Sequence, residues 1–367
     1  MEKREIIILG GGLMALITAW RLRQRGLAVT ILGDRPLQAA GHAAAGMLAP
    51  QAEGLQPGPM LDLCLRSRAL YADLAAKLEQ ETGIAIGYWP CGIAAPEQTL
   101  GTLLHPAAAR LTVAALGEIV PGLGPAVTGG WWFPLDAQVD NRLLMQALRS
   151  AVVAAGVELH ETAPVQAIAT DAGTQQVSHI RTPAGDWQAA HYILATGAWS
   201  QALLPQIPVV PRKGQMLALR WREAVQGAVD LPLRAVLFGS NIYIVPRQDG
   251  RIVVGATSED VGFAPGNTAV GVNQLLQGAI GLFPALAQAE LIETWWGYRP
   301  ATPDELPILG ESPWSNLTLA TGHYRNGILL APITAEVITN WVVDRIADPL
   351  LSAFRYDRLM VEPNGCS

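Results

Sequence analysis

Residues 6–15 read Ile-Ile-Ile-Leu-Gly-Gly-Gly-Leu-Met-Ala. A β-branched run of this kind forms a strand buried on both faces, and the glycines end it abruptly. Apolar residues Leu16, Ile17, Ala19, Trp20 and Leu22 follow at roughly helical spacing, Gly26 stands where a helix closes, and residues 28–32 form a second apolar strand. This strand–helix–strand unit commits the chain to a mixed α/β fold with parallel strands. Within it, Gly10, Gly12 and Ala15 have the spacing G-x-G-x-x-G/A. Gly10 permits a tight turn, Gly12 lets the backbone approach a pyrophosphate, and Ala15 keeps the helix close to the strand. The first helical turn, with Leu13 and Met14, offers unpaired amides and a positive dipole end to phosphate. A bound dinucleotide is the expectation. One position departs from the pattern: Gly33 stands where an acid would grip the ribose, and Asp34 comes one place late. Asp34 is read equally as a ribose ligand and as a turn residue before Pro36.

The 367 residues suffice for two domains, and with 15% charged and 50% hydrophobic residues the chain is globular rather than disordered. A net charge of −6 without a lysine/arginine stripe gives no sign of a nucleic-acid partner. No apolar run approaches the ~18 residues of a membrane span, and a strand at the N-terminus leaves no room for a signal peptide, so a cytoplasmic protein without a transmembrane segment is expected. Cys64, Cys91 and Cys366 match no metal or redox spacing, and no histidine pair has H-x-x-x-H spacing, so no metal site is expected.

Further along, one long helix is expected over residues 60–82, with Leu61, Leu65, Leu70, Leu74 and Leu78 facing inward. Asp140 reads as the N-cap of a helix that Gly156 closes. Residues 190–195 form another buried strand, running into the turn Thr196-Gly197. Residues 214–257 alternate as in an antiparallel sheet. A glycine turn at 322–327 precedes a helix from Ile328. The dinucleotide domain is thus read as discontinuous, Rossmann-like and built from residues 1–85, 141–212 and 300–367. An antiparallel β-rich substrate domain takes up 86–140 and 213–299. Addressing the cofactor from both ends of the chain suits a flavin better than a nicotinamide.

The stretches GGGLMA (10–15), AAAGMLAPQAE (43–53), WWFPLDAQVD (131–140), ATGAWS (195–200), YIVPR (243–247), VVGAT (253–257), GYRPATPDELPILG (297–310) and GHYRNGILLAP (322–332) cover nearly the whole chain. Together they resemble the D-amino-acid-oxidase superfamily of FAD enzymes, most nearly the glycine oxidases of the thiamine pathway. The resemblance implies non-covalent FAD, with Ala44, Ala45, Gly46 and Met47 beside the flavin. It places Val165 at the adenine and Thr196 and Gly197 near the pyrophosphate, and has Asn326, Gly327 and Ile328 donate from their backbone to the flavin's pyrimidine edge. His42 stands where a small hydroxyl residue is more usual.

By the same resemblance, Arg299 binds a substrate carboxylate, Tyr243 assists it, and Arg325 is a second arginine at the active-site turn. Asn241 sits two residues before Tyr243, on the same face of a strand. Each has a plainer reading. Arg299 can pair with Asp304 or Glu305, Tyr243 can pack in the core, Arg325 can cap carbonyls, and Asn241 can be an ordinary surface residue. The implied chemistry is hydride transfer from the α-carbon of a small amino acid to flavin N5, giving an imine that hydrolyses, with O₂ reoxidising the flavin to form H₂O₂. No side-chain base is strictly required for it. Glycine is the favoured substrate, with sarcosine and small D-amino acids sharing its groups, and the imine would feed thiazole formation, linking the chain to thiazole synthase. Relatives are often tetrameric, so a homo-oligomer is the corresponding expectation. Two alternatives stand beside this reading: a dehydrogenase passing electrons to a quinone or other carrier, and a non-catalytic flavin-binding protein.

Overall fold

The computed structural model describes residues 4–34, 36–97, 110–221, 224–225, 228–229 and 231–360. Arg35, His105 and Cys366 therefore lie outside the described residues. A six-stranded sheet has strand order Ile308–Glu311, Leu317–Thr321, Ala189–Leu194, Arg4–Leu9, Val29–Leu32, Glu158–His160, and only its first pair is antiparallel. Side chains alternate across it. Ile6, Ile8 and Ile31 pack on one side against the helices Leu13–Gln24, Asn141–Ala154 and Gly327–Asp344. Ile7, Leu9 and Leu32 pack on the other, with Val177 and Ile180 of a three-stranded antiparallel sheet. Burial on both faces is what the unbroken isoleucine run encodes.

The second sheet has eight strands and draws them from residues 93–133 and 210–301. Its long members, Val210–Arg220 and Glu290–Ala301, pair antiparallel with Met216 opposite Trp295. Leu217, Leu219, Ile244 and Val254 point to the helix Ala269–Leu282. Met216, Val245 and Val253 point the other way, onto Ala45, Ala49 and Trp131.

Helix ends follow the local signals. Gly26 (φ +85°) follows the first helix, and the Asp140 carboxylate accepts from the amides of Arg142 and Leu143 at 3.0 and 3.1 Å. The expected helix over 60–82 is instead two, Pro59–Ala69 and Tyr71–Thr82. In the first, Leu63, Cys64 and Ser67 face inward rather than Leu61 and Leu65. Ser67 Oγ donates to the carbonyl of Leu329 at 2.5 Å and the Tyr71 hydroxyl to that of Ile328, so hydrogen bonds to the C-terminal helix, not leucine spacing, set the rotation. The C-terminal segment Tyr324–Asp344 also departs from expectation, being long and apolar enough to cross a membrane by length and composition. Two thirds of its most apolar stretch is buried against the rest of the chain, including the first helix, so it is explained as a core helix.

Candidate active site

A cavity of about 780 Å³ opens at the carboxyl ends of Arg4–Leu9, Val29–Leu32 and Ala189–Leu194, where ligands enter α/β sheets of this kind. It runs on to the inner face of the antiparallel sheet. Gly10, Gly12, Leu13, Met14 and Asp34 line one end, with Thr196, Gly197 and Val165 beside them. Gly10 has φ +110°, and a Cβ on it would run into the carbonyl oxygen of Ala195. Gly12 is the N-cap of the first helix and has no side-chain cap, so the helix amides face the cavity without a protein partner from a capping side chain. Ala44 to Met47 line the middle, and Gly327 and Ile328, at an N-terminus likewise uncapped by a side chain, line it from the C-terminal helix.

Gly33 explains the displaced acid. A Cβ there would stand 2.8 Å from both N and Cα of Gly11, so no side chain fits without moving the phosphate turn. Gly33→Ala is therefore expected to weaken FAD binding by roughly tenfold or more, read from the dissociation constant by flavin fluorescence. Unchanged affinity would mean that the turn yields freely.

Arg299, Tyr243, Arg325 and Asn241 all line the other end. Arg299 Nη1 donates to the carbonyl of Thr257 at 3.1 Å, while Asp304 is held by Arg358, so the alternative pairing of Arg299 with Asp304 is not formed. The guanidinium lies over Gly214, whose missing Cβ would be 2.5 Å from Nη1. The Tyr243 hydroxyl donates to Met216 Sδ at 3.3 Å; burial pushes its pKa up, against the pull of Arg299. Arg325 Nη2 donates to the Tyr324 hydroxyl at 3.4 Å and, among the described residues, to no carbonyl.

Ala15 is fully buried in the core and does not itself line the cavity; its small size lets helix and strand pack closely, the role its place in the glycine pattern gives it. Two expectations need correction. Asn326 does not line the cavity either, and its amide already donates to the carbonyl of His323 at 2.9 Å, which leaves Gly327 and Ile328 as the facing donors. Asn241 lies in a bend before the strand Tyr243–Pro246, so strand alternation is not what turns it toward the cavity. The paired tryptophans 131/132 and 295/296 do not line it, whereas Trp199 does, stacked on Phe263 at 5.0 Å.

Sequence reasoning did not single out Glu53. It lines the cavity, and burial raises its carboxyl to about 7 despite Arg325 and Arg299, with Asp136 adding to the rise. Asp136 itself is raised to about 6 by burial, opposed by the Ala52 amide and Arg68. The imidazole of His323, also at the cavity, is bonded to Thr334 Oγ1 at 3.0 Å and is pushed down to about 3 by burial, so it is neutral.

A nucleotide-binding glycine turn at one end, an arginine–tyrosine pair suited to a carboxylate at the other and a helix N-terminus between them describe an oxidoreductase that holds a flavin dinucleotide across a small acidic substrate. The family model described as FAD dependent oxidoreductase matches residues 5–341, and the chain belongs to that family. The bifunctional protein ThiO/ThiG of Nostoc sp. (strain PCC 7120) is 52% identical in an alignment of 364 positions that covers 97% of this chain and 55% of that protein. The chain thus spans about half the length of such curated relatives. The glycine oxidase of Geobacillus kaustophilus is 34% identical in an alignment of 357 positions that covers 93% of either chain. A crystal structure of glycine oxidase from Geobacillus kaustophilus superposes with a TM-score of 0.89 at 33% identity, covering 98% of this chain and 99% of that one.

Proposed function

We propose that the chain is an FAD-dependent glycine oxidase that deaminates glycine, and also sarcosine and small D-amino acids, to the imine or 2-oxo acid with ammonia and H₂O₂. The observation that carries this reading is the meeting of Arg299, Tyr243 and Arg325 in the same cavity as the Gly10–Met14 turn. Residues 1–85, 141–212 and 300–367 would form the FAD domain and 86–140 with 213–299 the substrate domain. FAD, when bound, supplies the hydride acceptor and then reacts with O₂.

The protein's own work is orientation. The Arg299 guanidinium, braced by the Thr257 carbonyl, takes the substrate carboxylate, and the Tyr243 hydroxyl turns to share it. Arg325 bounds the same pocket. The Gly327 and Ile328 amides and their helix dipole stabilise negative charge on the flavin's pyrimidine edge. The ThiO/ThiG relatives support a supply of glycine imine to a thiazole synthase for thiamine. The free thiols Cys64 and Cys91 suit a cytoplasmic enzyme.

The purified yellow protein, mixed with glycine without oxygen, is expected to bleach and to regain its colour rapidly in air. A slow return would indicate a dehydrogenase with another acceptor. No bleaching by glycine, sarcosine or a small D-amino acid would overturn the reading.

A further inference from the structure

We propose that Glu53 receives the amino end of the substrate, its carboxylate pairing with the ammonium and taking the proton that must leave before the α-carbon is oxidised. This rests on the amino-acid-oxidase reading above. Glu53 belongs to a turn pinned from beneath. Its own amide donates to the Ala49 carbonyl at 3.0 Å, and the Ala52 amide donates to Asp136 Oδ2 at 2.9 Å. Arg68 pairs with Asp136 and also donates to Gln51 Oε1 at 2.9 Å. The position is thus fixed before any ligand arrives.

The carboxylate itself has no hydrogen-bond or ion-pair partner among the described residues, although it lines the cavity with Arg299, Tyr243 and Arg325. Among the described residues the buried acids are all paired: Asp136 with Arg68, Asp140 with Arg251, Glu97 with Arg110. An unpaired acid in so enclosed a place is costly unless a ligand completes it. Asp34, the other acid lining the cavity, sits at the far end beside the Gly10–Gly12 turn. His323 is neutral and engaged with Thr334, and Tyr243 holds its proton, so Glu53 is the acceptor at the substrate end.

The groups around it set its charge. Arg325, before the last helix, and Arg299, on Glu290–Ala301, favour the carboxylate; Asp136 opposes it. The Tyr243 hydroxyl, on Tyr243–Pro246, and the Cys64 thiol, on Pro59–Ala69, face it in their neutral forms, both raised by burial. Two guanidiniums and one carboxylate match a substrate that enters as carboxylate and ammonium and reacts as carboxylate and free amine. In the step itself an N–H bond breaks and an O–H bond forms on Glu53, the nitrogen keeps its electron pair, and nothing is oxidised. The proton passes to water as product leaves.

The test compares wild type with Glu53→Gln across pH 5.5–9. One readout is the anaerobic bleaching rate with glycine, the other the affinity for acetate, which has a carboxylate and no amine, from the shift of the flavin spectrum. Wild-type bleaching should fall below about pH 7 as Glu53 takes up its proton. Glu53→Gln should bleach about 10²-fold more slowly at pH 8, lose that acid limb, and bind acetate at least as tightly as wild type. A variant that keeps the wild-type profile, or weakens for acetate as much as for glycine, overturns the assignment and leaves the oxidase reading standing. If the variant fails to hold FAD, acetate on wild type decides: its affinity should rise from pH 8 to pH 6 as the neighbouring carboxylate is neutralised, and a flat profile overturns the proposal. That arm does not depend on which amino acid is turned over.

Discussion

Arg299→Ala raises the KM for glycine by about 10- to 100-fold, because a charge-assisted bond to a carboxylate contributes about 1.5–3 kcal/mol and each ~1.4 kcal/mol is tenfold. FAD stays bound, since the Arg299 side chain lines the substrate end of the cavity, hydrogen-bonded to the Thr257 carbonyl and to Tyr243, while the Gly10–Met14 turn lines the other end. The loss should appear equally in the affinity for acetate, which isolates the carboxylate from the amine. Tyr243→Phe should follow the same pattern at smaller size, a single neutral hydroxyl being replaced. Steady-state kinetics and the flavin absorbance check both. A KM equal to wild type for Arg299→Ala would place the carboxylate elsewhere, and a fall in turnover with KM unchanged would mean that the guanidinium acts on the transition state instead.

What the sequence discloses follows from the range of the forces involved. The glycine turn and the strand before it are local, and so are the Asp140 cap and the Gly26 and Gly156 closures; all were legible. Arg299 and Arg325 came instead from the family resemblance, and both line the cavity. The rotation of Pro59–Ala69 was not legible, because Ser67 and Tyr71 answer to carbonyls more than 250 residues away. Glu53 lies in a polar-looking turn, Gln51-Ala52-Glu53-Gly54, and reads as solvated. It lines a cavity with residues 243, 299 and 325, which only the closed fold brings near. Arg247 hid in the same way, before the exposed hairpin Gln248-Asp249.

Arg247 carries the second large expectation: Arg247→Met should cost about 3–5 kcal/mol and loosen FAD, as when one partner of a buried ion pair is removed. The guanidinium is 5% exposed and reaches from the antiparallel sheet into the backbone that lines the middle of the cavity. Nη2 donates to the Ala45 carbonyl at 2.6 Å; Nη1 donates to Gln138 Oε1 at 2.6 Å and to the Val139 carbonyl at 2.8 Å. Burial lowers its pKa to about 10, so it remains charged at neutral pH, and its Nε lies 3.9 Å from Asp140 Oδ2. Methionine has a comparable length and no donors. It would take a donor from two buried carbonyls and from the amide oxygens of Gln138 and Asn141, while Asp140 keeps Arg251 at 2.6 Å and its helix amides. The damage should therefore concentrate on the Ala44–Met47 loop rather than on the helix that Asp140 caps. Urea unfolding and the FAD dissociation constant separate these effects. Arg247→Lys should recover only part of both, since one ammonium cannot span acceptors that the planar fork reaches together. A methionine variant with wild-type midpoint and wild-type FAD affinity would show that the loop holds its place without the arginine.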